Sequence, residues 1–348
     1  MTEQVAPDLR STGLVTSAIW SDADDDGWID LLVTHEWGPV KLFRNEVAAE
    51  KGLVDRSRRA GTVDLLGWWN GIAAADVDHD GDIDYAVTNF GLNTKYHADP
   101  KHPTRLFYGD FEGNGRMRLV EAKYEDDTLY PVRGRSCSTI AMPSLGEKFT
   151  TYRDFALASV DQIYSPDRLS NAYEYVCNTL ESGIFLNDGQ GRFEFQPLPR
   201  IAQIAPGFGV DFQDVDLDGN VDLYIVQNFF TPQVETGRMS GGVSLLMLGD
   251  GAGNFAPVWP NQSGLVVGGD AKSLTSVDLN NDGFPDFLVG VNDDHVRAFV
   301  RTTAAGDQPP IKVQLRSGPG ASSDIGARVT CEFNDGTKQV AETYAGGG

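Results

Sequence analysis

The sequence predicts an all-β fold assembled from a repeated strand–loop–strand unit. Three observations predict it. A nine-residue acidic loop recurs five times along the 348 residues. Each of the four complete copies runs into a short stretch of β-branched and aromatic residues. The copies begin at 22, 76, 110, 214 and 278, with spacings of 54, 34, 104 and 64, which bracket the period of 40 to 60 residues that suits small multi-stranded blades.

Asp22, Asp24, Asp26 and Asp30 stand at positions 1, 3, 5 and 9 of the first loop, around Gly27 at position 6. Asp76, Asp78, Asp80 and Asp84 repeat the pattern around Gly81, and Asp214, Asp216, Asp218 and Asp222 repeat it around Gly219. Asp278, Asn280, Asp282 and Asp286 do so around Gly283. The remaining copy runs Asp110, Glu112, Asn114 and Gly115, with Arg118 where the last acid belongs.

This spacing points to Ca²⁺, a hard cation that takes six to eight oxygen ligands. Positions 1, 3, 5 and 9 offer side-chain oxygens. Position 7 offers only its backbone carbonyl, which leaves its side chain free to vary: Trp28, Asp82, Arg116, Asn220 and Phe284. Position 6 is glycine throughout, as a turn with positive φ requires. Two carboxylates ~6 Å apart at an effective dielectric of ~20 repel by about 3 kcal/mol, so four converging on one loop call for a cation. A solvated acidic turn is the competing explanation for a single copy, since Asp and Gly are ordinary turn residues. Four loops carry the full ligand set. In the loop at 110 the missing ninth-position acid counts against a metal.

The flanks set these loops apart from an EF-hand, which carries Glu at position 12 between helices. Here position 12 is Val33, Val87, Ile225 and Val289, inside apolar runs too short for helices. The loops therefore join strands. A second punctuation supports this: residues 186–193 and 248–255 read as strand–turn–strand hairpins, Asn187-Asp188-Gly189 and Gly249-Asp250-Gly251 being their turns. The long gap before 214 predicts an insertion over about 147–182. Phe149, Tyr152, Phe155, Ala156, Val160 and Ile163 have helical spacing. Ser165-Pro166 reads as an N-cap with Pro at N1 of a second helix through Leu169, Ala172, Tyr175 and Val176, giving a helical hairpin. Residues 303–310 read as a linker. Ile311–Leu315, Ala327–Phe333 and a segment through Val340 read as strands, the last two joined by a turn at Asn334-Asp335-Gly336.

The formal charge is −22, and 19 of the 50 acids lie in the five loops, so the acidity belongs largely to the loops. Such a chain is a poor partner for nucleic acid. Cys137, Cys177 and Cys331 are too few and too scattered for a disulfide framework or a zinc site, though one pair could form. No run is long and apolar enough for membrane insertion, and the start at Met1 has neither the basic nor the apolar region of a signal peptide. Because repeated structural calcium loops belong mostly outside cells, a truncated start is expected.

The loops resemble the FG-GAP or VCBS repeats of integrin-alpha-type β-propellers, over roughly residues 10–302. The stretch from Ile311 resembles the start of an ASPIC/UnbV module, through Gly318, Ile325, Gly326, Ala327, Arg328, Val329, Asp335, Gly336 and the closing glycines. The order resembles secreted proteins of the cartilage acidic protein type. Residues 67–71, 130–135 and 235–238 resemble their bacterial branch. The resemblance implies a β-propeller over 1–302, a linker, and a partial module over 311–348. It also implies calcium loops that stiffen blade hairpins on one face, and an extracytoplasmic site of action. Five recognisable repeats are expected to form part of a larger, seven-bladed ring.

Three functions follow as expectations. The first is a non-catalytic adhesion or binding module for protein or glycan ligands, with Trp37, Trp68, Trp69, Arg133, Arg135 and Arg238 as exposed contact residues. Against these, at least one of Trp68 and Trp69, which sit just before a strand, would be core, and Arg133 and Arg135 would pair with Glu125, Asp126 and Asp127. The second is a propeller-scaffold lyase or hydrolase acting on polysaccharide. His35-Glu36 opens like a zinc-protease motif but meets Pro39 where the second His belongs, and no nucleophile elbow or P-loop occurs. The third is a structural segment of a larger surface protein.

Overall fold

A computed structural model describes residues 6–49, 51–234, 236–302, 311, 313–315, 324–332 and 338–347. The chain is mostly β. Strands β1 (Leu14–Ser21), β2 (Asp30–Gly38), β3 (Lys41–Asn45) and β4 (Leu53–Asp55) form an antiparallel meander, and β5 (Gly67–Trp68) adds to β2. Strands β6 (Ile72–Ala75) and β7 (Asp84–Val87) begin a second sheet. The chain then leaves it to build β8 (Thr104–Gly109), β9 (Arg118–Glu125), β10 (Thr128–Pro131) and β11 (Tyr173–Cys177), a separate sheet of order β10-β9-β8-β11. It returns through β12 (Gly183–Asn187) and β13 (Phe193–Pro197), which complete the second sheet.

A further meander follows: β14 (Gly207–Gln213), β15 (Asp222–Gln227), β16 (Leu245–Gly249) and β17 (Phe255–Pro257). The next sheet is three-stranded, of β18 (Asp270–Val277), β19 (Asp286–Asn292) and β20 (Arg297–Phe299). A last hairpin, β21 (Arg328–Glu332) with β22 (Lys338–Glu342), precedes β23 (Ala345–Gly346), which pairs with β1. The first strands of four sheets run side by side in the order β1, β6, β14, β18.

The sheets stack face to face, and period-two alternation shows how. In β7, Tyr85 and Val87 join the core against the first sheet while Ala86 faces the opposite way. In β12 the same split separates Phe185 from Ile184. In β15, Leu223 and Ile225 meet the second sheet, whereas Tyr224 and Val226 meet the β18–β20 sheet. Strands buried on both faces read as unbroken apolar runs, which explains Leu223–Val226. Both hairpins expected at 186–193 and 248–255 form, as β12–β13 and β16–β17.

The insertion differs from the expected helical hairpin over 147–182. Five short helices occupy Arg135–Ala141, Ser144–Lys148, Tyr152–Ala156, Val160–Tyr164 and Pro166–Ser170. Pro166 does open the last of them. Ser165, however, has φ 62° and makes no side-chain cap bond. Tyr173–Cys177 is a strand rather than helix, because Tyr173–Cys177 pairs with Tyr108–Thr104 in the inserted sheet. Phe107, Phe111, Val120, Met142, Phe155 and Ile163 give the insertion its own core.

At the C-terminal end the strands expected around 327–333 and through Val340 appear as β21 and β22. Ile311 and residues 313–315 carry no strand. The linker at 303–310, Gly318 and the turn at 334–336 lie outside the described residues.

Candidate metal centre

All five loops join the first and second strands of a hairpin, β1–β2, β6–β7, β8–β9, β14–β15 and β18–β19. Position 5 plays the same part in each. The carboxylate or amide oxygen of Asp26, Asp80, Asn114, Asp218 or Asp282 accepts from the backbone N–H two residues on, at 2.8–3.0 Å. Position 1 spans the turn: Asp22 accepts from Asp26 and Gly27, Asp214 from Gly219, and Asp278 from Asp282 and Gly283. The glycine at position 6 has positive φ in all five loops, as expected. Position 4 is left-handed as well, with Asp25, His79, Leu217 and Asn281 at φ 53–66° and Gly113 at 73°. Asp25, His79, Asn281 and Gly113 are residue types that favour this region, whereas Leu217 is a poor residue for it and gave no signal.

The ninth-position aspartate has a role that the ligand reading did not anticipate. Asp84 accepts from Val77 N at 3.0 Å and Asn187 N at 2.8 Å, tying position 2 of its own loop to the end of β12. Asp222 ties Val215 to Gly249, and Asp286 ties Leu279 to Arg301. Asp30 accepts only from Asn45, and its Oδ2 is buried without a partner. Asp84, Asp222 and Asp286 therefore clip their loops to the end of the third strand or just past it, while Asp30 reaches only the end of β3.

Three groups could hold a metal ion: Asp22, Asp24 and Asp30; Asp76, Asp78 and Asp84; and Asp214, Asp216 and Asp218, each with ligand atoms within 4.8 Å of one another. The donor set is all carboxylate oxygen, which suits Ca²⁺. Buried oxygens without hydrogen-bond partners fit the same ion: Asp24 Oδ1, Asp30 Oδ2, both oxygens of Asp76, and Asp214 Oδ1. An unpaired buried carboxylate is costly, and a cation at these points would remove the cost.

Protonation is the other escape. Burial pushes Asp84 up to about 8 and Asp30 up to about 7. It pushes Asp76 and Asp222 up to about 6.

Two loops differ. In the loop at 278, Asn280 replaces an acid, and among the described residues no three carboxylates converge there. In the loop at 110, Asp110 accepts from Gly113, Asn114 and Gly115, and Arg168 donates to its carbonyl. Glu112 accepts from Ser144 and Asn114. These bonds hold both acids below the usual carboxylate range, with the Gly115 N–H the main cause for Asp110 and the Ser144 hydroxyl for Glu112. This loop is satisfied by protein donors alone.

The loops are also joined to one another. The turn after β12 sits between two of them. Asn187 Nδ2 donates to Ala23 O in the first loop and to Ile83 O in the second. The turn after β16 repeats the arrangement: Gly253 N donates to Val77 O, and His79 hydrogen-bonds Asn220 across the gap at 2.9 Å. A β-carbon on Gly189 would collide with Asp82, and one on Gly251 with Asn220. Both contacted residues occupy position 7. Beyond any backbone carbonyl, position 7 thus serves as a packing site, with Phe284 buried and Trp28 exposed.

The proposed contact residues fare differently. The expectation of exposure is corrected for all three tryptophans: Trp37 is 9%, Trp68 5% and Trp69 0% exposed. Trp68 packs edge-on against Trp37, Phe90 and Tyr96, and Trp69 packs on Phe185 and Phe195. Each completes an aromatic core. Arg133 pairs with Glu121 at 2.9 Å rather than with the acids at 125–127. Arg135 donates to Phe149 O and lies over Tyr152. Arg238 remains exposed, its guanidinium 3.4 Å above the Phe230 ring. His35 is buried, bonded to Thr12 Oγ1 and Pro39 O, and acts as a core histidine. Cys137, Cys177 and Cys331 form no disulfide with one another.

Residues 22–87 match the FG-GAP-like repeat. That stretch runs from the first acidic loop through the second to the end of β7. No curated protein matches the chain.

Proposed function

We propose that the chain is a calcium-stabilised, extracytoplasmic binding or adhesion module that recognises a protein or glycan and carries out no chemistry. The stacked sheets are read as blades of an integrin-alpha-like β-propeller, and the C-terminal hairpin as part of an ASPIC/UnbV-like module. The observation that carries this reading is the convergence of three aspartate triads whose buried oxygens lack partners.

Bound calcium would supply charge neutralisation and fixed geometry. The chain's own residues do the rest. Positions 1 and 5 fold the turn, position 9 anchors it to the third strand, and the turns after β12 and β16 join one loop to the next. The result is a stiff loop face, and rigid positioning of loops is what recognition requires. Calcium concentration supports an extracytoplasmic setting, since loops of this kind fill where free calcium is high. Arg238 on Phe230 is the exposed planar donor of the candidate set and suits a carboxylate or sugar hydroxyl.

The test is a glycan and protein screen with the immobilised chain, in calcium and in chelator. Calcium-dependent capture that Arg238→Ala weakens supports the reading. Capture that ignores calcium contradicts it.

A further inference from the structure

The C-terminal hairpin lies across three acidic loops at once. Arg328 makes most of the contact. It pairs with Asp25 Oδ1 at 2.9 Å and donates to Asp22 O at 3.1 Å and Gly81 O at 3.5 Å, which places one guanidinium between the first and second loops. Glu342, buried beneath it, accepts from Asp22 N at 3.0 Å and lies 3.5 Å from Arg328 Nε. From β22, Gln339 donates to Gly219 O in the loop before β15. Three loops from three successive sheets thus share a single hairpin, and they are the three whose carboxylates converge.

The segment beyond the hairpin is held to the inner strands. β23 pairs with Ile19 and Trp20 of β1, and Gly347 N donates to Ala18 O at 2.8 Å. Tyr344 lines a cavity of about 190 Å³ with Ile72, Val210 and Leu274 from β6, β14 and β18. The docked segment covers both the free edge of β1 and these apolar walls.

The contacts fall mostly on backbone atoms of the loops: the carbonyl and N–H of position 1 in the first, and the position-6 carbonyl in the other two. Those atoms are placed by the turn, and the turn is where the carboxylates crowd. With a cation the turn closes around it. Without one, like charges in a poorly solvated space push apart and carry the carbonyls of Gly81 and Gly219 with them.

We infer that residues 324–332 and 338–347 form a calcium-dependent latch. They dock across the three loops when these are filled, and they release, with β23 leaving β1, when the ion is withdrawn. The inference rests on the calcium reading above and adds its consequence: the ion controls access to the β1 edge and the inner cavity.

Hydrogen–deuterium exchange on the whole chain tests it, in calcium and in excess chelator, for the wild type and Arg328→Gln, with calcium uptake measured in parallel by calorimetry. Chelator is expected to raise exchange across 324–332 and 338–347 by about tenfold or more while Leu223–Val226 of β15 stays slow. Arg328→Gln is expected to show the fast exchange in calcium with the wild-type number of ions bound. Unchanged exchange at 324–332 and 338–347 with calcium uptake intact would overturn the latch and leave the calcium reading standing. So would full protection in Arg328→Gln. Loss of protection in all strands together would replace the latch by global stabilisation. An absence of calcium uptake would remove the underlying reading and the latch with it.

Discussion

Asp76 and Asp222 belong to equivalent loops, yet substitution by Asn should affect them differently with and without calcium. Asp222 is 1% exposed and accepts two backbone N–H groups, from Val215 at 2.7 Å and Gly249 at 3.0 Å. An amide has one acceptor oxygen, so Asp222→Asn leaves one buried N–H facing an NH₂ group. Stranding that donor costs about 1–3 kcal/mol. Losing the charge on the surviving bond adds about 1 kcal/mol. For a chain of this size ~1 kcal/mol moves the melting temperature by about 1.4 °C, so the shift should be about 3–6 °C. Because the clip involves only protein atoms, the loss should appear with or without calcium.

Asp76 is 4% exposed, and both of its oxygens are buried without partners. In chelator, Asp76→Asn removes a buried charge and should leave stability unchanged or raised. In calcium it removes a ligand. At free ion about 100-fold above the dissociation constant that forfeits about 2.7 kcal/mol, or ~4 °C. Differential scanning calorimetry of both variants in both conditions checks this. A drop for Asp76→Asn in chelator as large as in calcium would refute the ligand assignment. A calcium-only drop for Asp222→Asn would refute the clip.

Asp24→Ala and Asp216→Ala should lower the melting temperature in calcium and barely change it in chelator. The pH dependence has a defined sign. Asp30 and Asp84 rise from 3.8 to about 7 and about 8, so the folded state holds these protons more tightly than the unfolded chain. Their contribution is therefore full below about pH 4 and lost as pH climbs through 7 and 8, a decline that melts in chelator should show. Calorimetry in buffers of different ionisation enthalpy should accordingly detect proton release on calcium binding near pH 6 and little above pH 9. Gly189→Ala places a β-carbon against Asp82 at φ 68° and should cost stability in both conditions, about 1 kcal/mol from the backbone alone, as read by the same melts. Asp110→Asn should leave the number of bound calcium ions unchanged in equilibrium dialysis, because protein donors already satisfy that loop.

Much of the site was legible because its chemistry is local. Oxygens at positions 1, 3 and 5 and a glycine at 6 lie within one turn, and the strands after Asp30, Asp84, Asp222 and Asp286 announce themselves by apolar runs. What escaped depends on distant partners. The clip made by Asp84 needs Asn187, about a hundred residues on and past the whole insertion. Ala172, Tyr175 and Val176 fit a helical stripe, but Tyr173–Cys177 also alternates, and pairing with β8 decided between them. That both tryptophans at 68 and 69 are buried was not legible locally, because the aromatic cluster that buries them comes from Trp37, Phe90 and Tyr96 on one side and Phe185 and Phe195 on the other. Leu217 gave no hint of its left-handed backbone, since the demand comes from loop geometry and not from the residue.

The central claim is that three loops bind calcium and that the bound ions stabilise the folded chain. Thermal unfolding of the purified chain in millimolar calcium and in excess chelator addresses it most directly. Three sites at about 2.7 kcal/mol each predict an upward shift on the order of 10 °C in calcium. Superimposable melts in the two conditions would contradict the account and leave the acidic loops as turns held by hydrogen bonds alone.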